Sequence, residues 1–108
     1  MVYSIRMKCL FVANPNSGRG TIVKRKDYII NRLKTRFDVV DYRETEYAGH
    51  LTEIIEARYA DYDCVVVSGG DGTVNEVVTA LAEKENAPAI GYIPSGTVND
   101  VAHTLRIP

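Results

Sequence analysis

Glycine, hydroxyl and amide side chains crowd into three short stretches: Asn14-Pro15-Asn16-Ser17-Gly18-Arg19-Gly20, Ser68-Gly69-Gly70-Asp71-Gly72-Thr73 and Pro94-Ser95-Gly96-Thr97. Glycines at such places remove side chains and let backbone N–H groups approach an anion. If a helix follows, the positive end of its dipole faces the same anion. Phosphate is the natural occupant. Asp71 is the informative exception, because a carboxylate inside a phosphate loop repels its ligand. That repulsion must be offset by a divalent cation, or by a proton taken from an attacking hydroxyl.

Other chemistries fit less well. Gly18-Arg19-Gly20 has Val23 where a dinucleotide fingerprint needs its third glycine, and no Gly-Lys-Ser/Thr follows the glycines, so a Walker A loop is absent. Ser68 and Ser95 lack a nucleophile elbow and are expected to make turn hydrogen bonds. Arg19 could pair with phosphate, though a solvated arginine is the commoner outcome. His50 and His103 carry little weight on position alone. Thr73-Val74-Asn75-Glu76 also matches a capping box, in which Thr73 and Glu76 satisfy helix N–H groups without any ligand. Thr97-Val98-Asn99-Asp100 repeats that pattern less strictly.

The elements around these stretches alternate. Cys9–Ala13 reads as a strand buried on both faces and Thr21–Phe37 as an amphipathic helix, with Ile22, Ile29, Ile30, Leu33 and Phe37 inward and a solvated basic face of Lys24, Arg25, Lys26, Arg32 and Lys34. Asp38–Arg43 is a second strand. A helix over about 49–59 carries Leu51, Ile54, Ile55 and Arg58 on one stripe, and Cys64-Val65-Val66-Val67 is the clearest strand. Val74, Val77, Val78 and Leu81 mark a third helix, Ala89–Ile93 a fourth strand, and Thr97–Leu105 the start of one more helix. Strands alternating with helices predict right-handed βαβ units, hence an open parallel α/β sheet covered on both faces. Ligands in such sheets lie at the carboxyl ends of the strands, where all three glycine stretches fall.

With 108 residues, 45% of them hydrophobic, the chain is expected to form one domain. Thirteen basic and fourteen acidic residues leave a net charge of -1, which argues against nucleic acid as a partner. No apolar run approaches a membrane span and no signal peptide opens the chain, so a cytoplasmic location is expected. Cys9 and Cys64 lie in apolar runs without metal-ligand spacing, and read as buried small hydrophobes, with a disulfide the lesser alternative.

Asn14-Pro15 with Ser17-Gly18, then Gly69-Gly70-Asp71-Gly72-Thr73-Val74-Asn75-Glu76, then Gly96-Thr97-Val98-Asn99-Asp100, resemble in order and spacing the catalytic domain of diacylglycerol kinases and bacterial lipid kinases. The middle motif is shared in part with NAD kinases and phosphofructokinases; its combination with the other two carries the resemblance. The resemblance implies a Rossmann-like three-layer domain, and an ATP site between it and a second, mostly β domain that this chain does not contain. It implies that Asn14, Pro15, Asn16, Ser17, Gly18, Thr45, Gly69, Gly70, Gly72, Thr73, Asn75, Glu76, Gly96 and Thr97 line the nucleotide, with Asp71 near its phosphates as the catalytic carboxylate. Asn99 and Asp100 would support the site or its Mg2+ network, and His50 fits a Thr-Glu-then-His pattern after Thr45. Most Mg2+ ligands, the general base and much of the lipid surface are expected in the second domain, so no residue here is assigned as a metal ligand and this chain alone is expected to be inactive. The implied acceptor is a membrane lipid such as diacylglycerol, reached from the cytoplasm at the membrane surface, with a homodimer allowed. The alternatives are a kinase for NAD or another small molecule, and a non-catalytic nucleotide-binding domain.

Overall fold

The computed structural model describes residues 6–15 and 21–94. Within them the chain runs β1 (Lys8–Ala13), α1 (Thr21–Lys24), α2 (Lys26–Leu33), β2 (Val39–Glu44), α3 (His50–Arg58), a 3-10 turn (Tyr59–Asp61), β3 (Cys64–Gly69), α4 (Asp71–Leu81) and β4 (Ala89–Pro94). All neighbouring strands pair in parallel, in the order β2-β1-β3-β4. The expected helix at Thr97–Leu105 lies outside the described residues.

The strand order follows from the handedness of the crossovers. From β1 the chain steps to β2 on one side, then crosses back over β1 to β3 and continues to β4. A right-handed crossover that reverses direction must carry its helix on the opposite face of the sheet. Accordingly α2 packs through Ile29 and Leu33, with Phe37, on the face made by Cys9, Phe11, Ala13, Cys64 and Val66. Leu51, Ile54 and Ile55 of α3 and Val77, Ala80 and Leu81 of α4 cover Leu10, Val12, Val65 and Val67 on the other. The expected open α/β sheet with helices on both faces is thus the observed one. β1 and β3 lie at its centre, which is why their apolar runs are continuous and not alternating. Removing any one of these large side chains from water contributes about 1.5–3 kcal/mol.

Two local expectations change. The single helix expected over Thr21–Phe37 is broken at Arg25, whose ψ of 12° leaves the helical range, and it ends at Leu33. Phe37 still reaches the core, from the turn that follows. The capping box at Thr73-Glu76 does not form. Helix α4 begins three residues earlier, with Gly70 as its N-cap, so Thr73 sits inside the first turn and donates its N–H to the Gly70 carbonyl at 3.0 Å. Glu76 is then too far along the helix to reach back.

Cys9 and Cys64 are register partners on β1 and β3, both buried and both free thiols. The thiol hydrogen bond between them pushes the Cys9 thiol up from its usual 9.0 and the Cys64 thiol down, so the two oppose each other in the pH dependence of stability. Burial and a bond to Glu44 push the Tyr42 phenol up, and burial and a bond to Asp41 do the same for Tyr62. Each raised group stays protonated more firmly in the folded chain than in the unfolded one. For the two phenols the resulting contribution to stability is complete below the unfolded value of 10.0 and is lost as pH rises past it. Thermal melts should be flat in this respect up to about pH 9.5 and fall above about pH 10, and Tyr42→Phe should make that fall shallower.

Candidate functional site

The point where the chain reverses direction lies between β1 and β3, and at a reversal the flanking loops diverge and leave a crevice beyond the strand ends. Two backbone bonds close its floor. The Asn14 N–H donates to the Ser68 carbonyl at 3.3 Å, and the Thr45 N–H donates to the Ala13 carbonyl at 2.9 Å. The ends of β1, β2 and β3 are thereby drawn together. Above them lies a cavity of about 300 Å3 lined by Val12, Ala13, Asn14, Thr45, Glu46, Tyr47, Ala48, Gly49, Leu51, Ser68, Thr73 and Glu76.

Ser68 is 1% exposed, and its hydroxyl has no hydrogen-bond partner. The turn bonds expected of it are not made, because β3 continues through Gly69 and keeps Ser68 inside the strand. An unsatisfied buried hydroxyl costs roughly 1–3 kcal/mol, so a site that retains one beside a cavity is suited to a polar ligand. Replacing it should separate the two effects. Ser68→Ala is expected to raise the melting temperature of the ligand-free protein slightly and to weaken ligand binding severalfold, which melts with and without MgATP would read.

The glycine loop is held from below. The Tyr92 hydroxyl donates to the Gly69 carbonyl at 2.7 Å and leans toward that of Gly70 at 3.5 Å, which fixes the turn from β3 into α4. Gly69 is required by packing, since a Cβ there would collide with the Thr73 side chain. Gly70 and Gly72 are different: a Cβ on either would meet nothing within 4 Å. Their backbone faces open space beside the free N–H groups of a helix start, the chemistry that accepts phosphate oxygens.

The other rim of the cavity is the segment from Thr45 to Gly49. Gly49 takes φ +89°, a left-handed conformation that favours glycine, and it caps α3 without a side-chain bond. The Glu46 N–H donates to Nδ1 of His50 at 2.9 Å, the His50 ring stacks on Tyr47 at 4.4 Å, and the Tyr47 hydroxyl donates to Glu53 at 2.8 Å. That last bond pushes the Tyr47 phenol up from its usual value. His50 thus shapes the rim.

Of the residues expected at the site, Asn14, Thr45, Thr73 and Glu76 line one cavity. Pro15 follows Asn14, half-buried, just past the end of β1. Gly69, Gly70 and Gly72 form the adjoining turn, and the backbone of Asp71 opens α4. Asn75 is not brought to this cavity. It lines a shallower one of about 360 Å3 on the α3–α4 seam, with Thr52, Glu56, Gly72, Glu76, Thr79 and Ala80. Asn16, Ser17, Gly18, Arg19, Ser95, Gly96, Thr97, Asn99, Asp100 and His103 lie outside the described residues, as does the side chain of Asp71. Sequence reasoning missed Ser68, Tyr92 and the rim at Tyr47 to Gly49. Only Gly49, before the apolar stripe of α3, left a readable signal.

Comparison with known proteins bears on the family and the fold. The diacylglycerol kinase catalytic domain family matches residues 8–108. The chain is 37% identical over 106 residues to a diacylglycerol kinase of Staphylococcus saprophyticus, covering 96% of this chain and 34% of that protein. It is 38% identical over 106 residues to one from Staphylococcus aureus, covering 96% of this chain and 33% of that protein. The crystal structure of a diacylglycerol kinase from Bacillus anthracis superposes with a TM-score of 0.75 at 32% identity, over 98% of this chain and 39% of that one. The chain therefore spans about a third of the length of the curated relatives it matches. With that span, the motifs and the shared fold, the chain belongs to the diacylglycerol kinase catalytic domain family.

Proposed function

We propose that this chain is the nucleotide-binding part of an ATP-dependent lipid kinase that phosphorylates a lipid hydroxyl, with diacylglycerol as the default acceptor. The observation that carries the reading is the cavity at the β1–β3 reversal, where Asn14, Thr45, Ser68 and Thr73 meet beside the open backbone of Gly70 and Gly72. Membership of the family supplies the reaction class.

In this reading the α4 start and the glycine turn hold the phosphates through N–H groups, while Thr45 and the Tyr47–Gly49 rim bound the rest of the nucleotide. Transfer breaks the bond from the γ-phosphorus to its bridging oxygen and forms one to the lipid oxygen, whose proton leaves to a base. Positioning and charge neutralisation carry most of such a reaction. By resemblance to the family, Asp71 would act near the phosphates, with Asn99 and Asp100 supporting the site or its Mg2+ network. Mg2+, which the family implies, would neutralise phosphate charge. Among the described residues no group of three or more His, Cys, Asp or Glu could hold a metal ion. A second, β-rich domain would supply the remaining ligands and the lipid surface.

No helix of the described residues is long and apolar enough to cross a membrane. The proposed enzyme acts from the cytoplasmic side and meets its lipid at the membrane surface. The test is transfer of labelled γ-phosphate by the full-length protein to a panel of diacylglycerol, other lipids, NAD and sugar phosphates. Label in lipid is the expected result; label in NAD with none in any lipid refutes the reading.

A further inference from the structure

Glu76 lies at the wall between the two cavities, lining both. A bare carboxylate facing a triphosphate would oppose binding by like-charge repulsion. Here its Oε2 is engaged elsewhere: it accepts from the Thr52 N–H at 3.0 Å and from the Thr52 hydroxyl at 2.8 Å. Thr52 is the third residue of α3, and its N–H is among those that no intrahelical carbonyl can satisfy. The N-cap, Gly49, has no side chain to serve it. Glu76 of α4 therefore acts as the missing cap for α3, with its negative charge placed at the positive end of that helix.

The consequence reaches the site because the start of α3 is tied to the cavity rim by hydrogen bonds and a ring stack. His50 holds Glu46 and Tyr47, and Glu53 holds the Tyr47 hydroxyl. Deeper in the seam, Leu51, Ile55, Val77 and Leu81 pack in one apolar cluster, whose contacts are non-directional. The directional bond at this end is Glu76 to Thr52.

We propose that Glu76 is a positioning residue, acting through Thr52 to set the rim from Thr45 to Gly49 against the Gly69–Thr73 turn, so that both touch one nucleotide. This rests on the nucleotide-binding reading above. Glu76 contributes to ATP affinity through this bond, and Thr52, which does not line the cavity at the β1–β3 reversal, matters as much as Glu76 does.

The experiment is steady-state kinetics of the full-length protein with saturating lipid, varying MgATP, with melting temperatures recorded in parallel. Thr52→Val, which removes the hydroxyl and keeps the shape, is expected to raise the KM for ATP about tenfold with kcat within about twofold. Thr52→Ser should restore the wild-type KM, and Glu76→Gln, which keeps an acceptor oxygen, should raise it only about threefold. Adding Thr52→Val to Glu76→Ala should leave KM where Glu76→Ala alone puts it, because the two act through one contact. Unchanged KM in Thr52→Val, or fully additive effects in the pair, overturns the proposal while leaving the nucleotide site standing. If Thr52→Val melts too low to assay, Thr52→Ser and Glu76→Gln decide. A KM for Thr52→Ser as high as that of Glu76→Gln overturns the proposal, and a wild-type KM supports it. Failure of the wild-type protein to bind MgATP by calorimetry overturns both readings together.

Discussion

Asp71→Ala in the full-length protein is expected to lower kcat about a thousandfold while leaving the fold in place, a loss within the range for removing a positioned acid or base. Asp71 is the first residue of α4, directly after its N-cap Gly70. An acid in a helix's first turn stabilises it by about 0.3–1 kcal/mol, small beside the 5–15 kcal/mol of a typical domain. Folding therefore survives the change. What does not survive is the local charge balance, since a carboxylate in a phosphate loop is tolerable only when it answers a cation or a proton. Asp71→Asn separates charge from shape and should lose nearly as much. Turnover at the wild-type rate in either variant would remove Asp71 from the mechanism.

The neighbouring glycines should respond in opposite ways. Gly70 takes φ −84° and ψ −171°, extended backbone that any residue adopts, and a Cβ there meets nothing within 4 Å. Gly70→Val is accordingly expected to fold with an unchanged melting temperature, and to lose ATP affinity by about a hundredfold or more because its side chain occupies the space a phosphate needs. At Gly69 the Cβ would press on the Thr73 side chain, so Gly69→Ala should cost about 1–3 kcal/mol of stability as α4 is pushed off β3. Melting curves and nucleotide titrations of the two variants side by side check this. A Gly70→Val protein that melts early but binds ATP normally would invert the assignment.

Much of this architecture is legible in the chain because the physics is local. Cys64-Val65-Val66-Val67 can only be a strand covered on both faces, and β3 is that strand. Leu51, Ile54 and Ile55 fall on one stripe, and α3 buries them. The three glycine stretches begin where β1, β3 and β4 end, and a parallel sheet puts all its βα turns on one edge, so the sequence alone already sets Asn14 and Thr73 side by side. The misreadings share a cause as well. Glu76 matches a capping pattern over four residues, but its partner is Thr52, 24 residues away in the chain, and no local pattern encodes that bond. Ser68 reads as a turn residue because glycines follow it, while β-pairing with Ala13 keeps it in the strand. The break at Arg25 carries neither glycine nor proline to announce it.

The most direct test is a crystal structure of the full-length protein with Mg2+ and a non-hydrolysable ATP analogue. Phosphate oxygens are expected within hydrogen-bond reach of the N–H groups of Gly70 and Gly72, with Asn14, Thr45 and Thr73 around the same molecule. An analogue bound elsewhere, with these backbone groups facing only water, would contradict this placement.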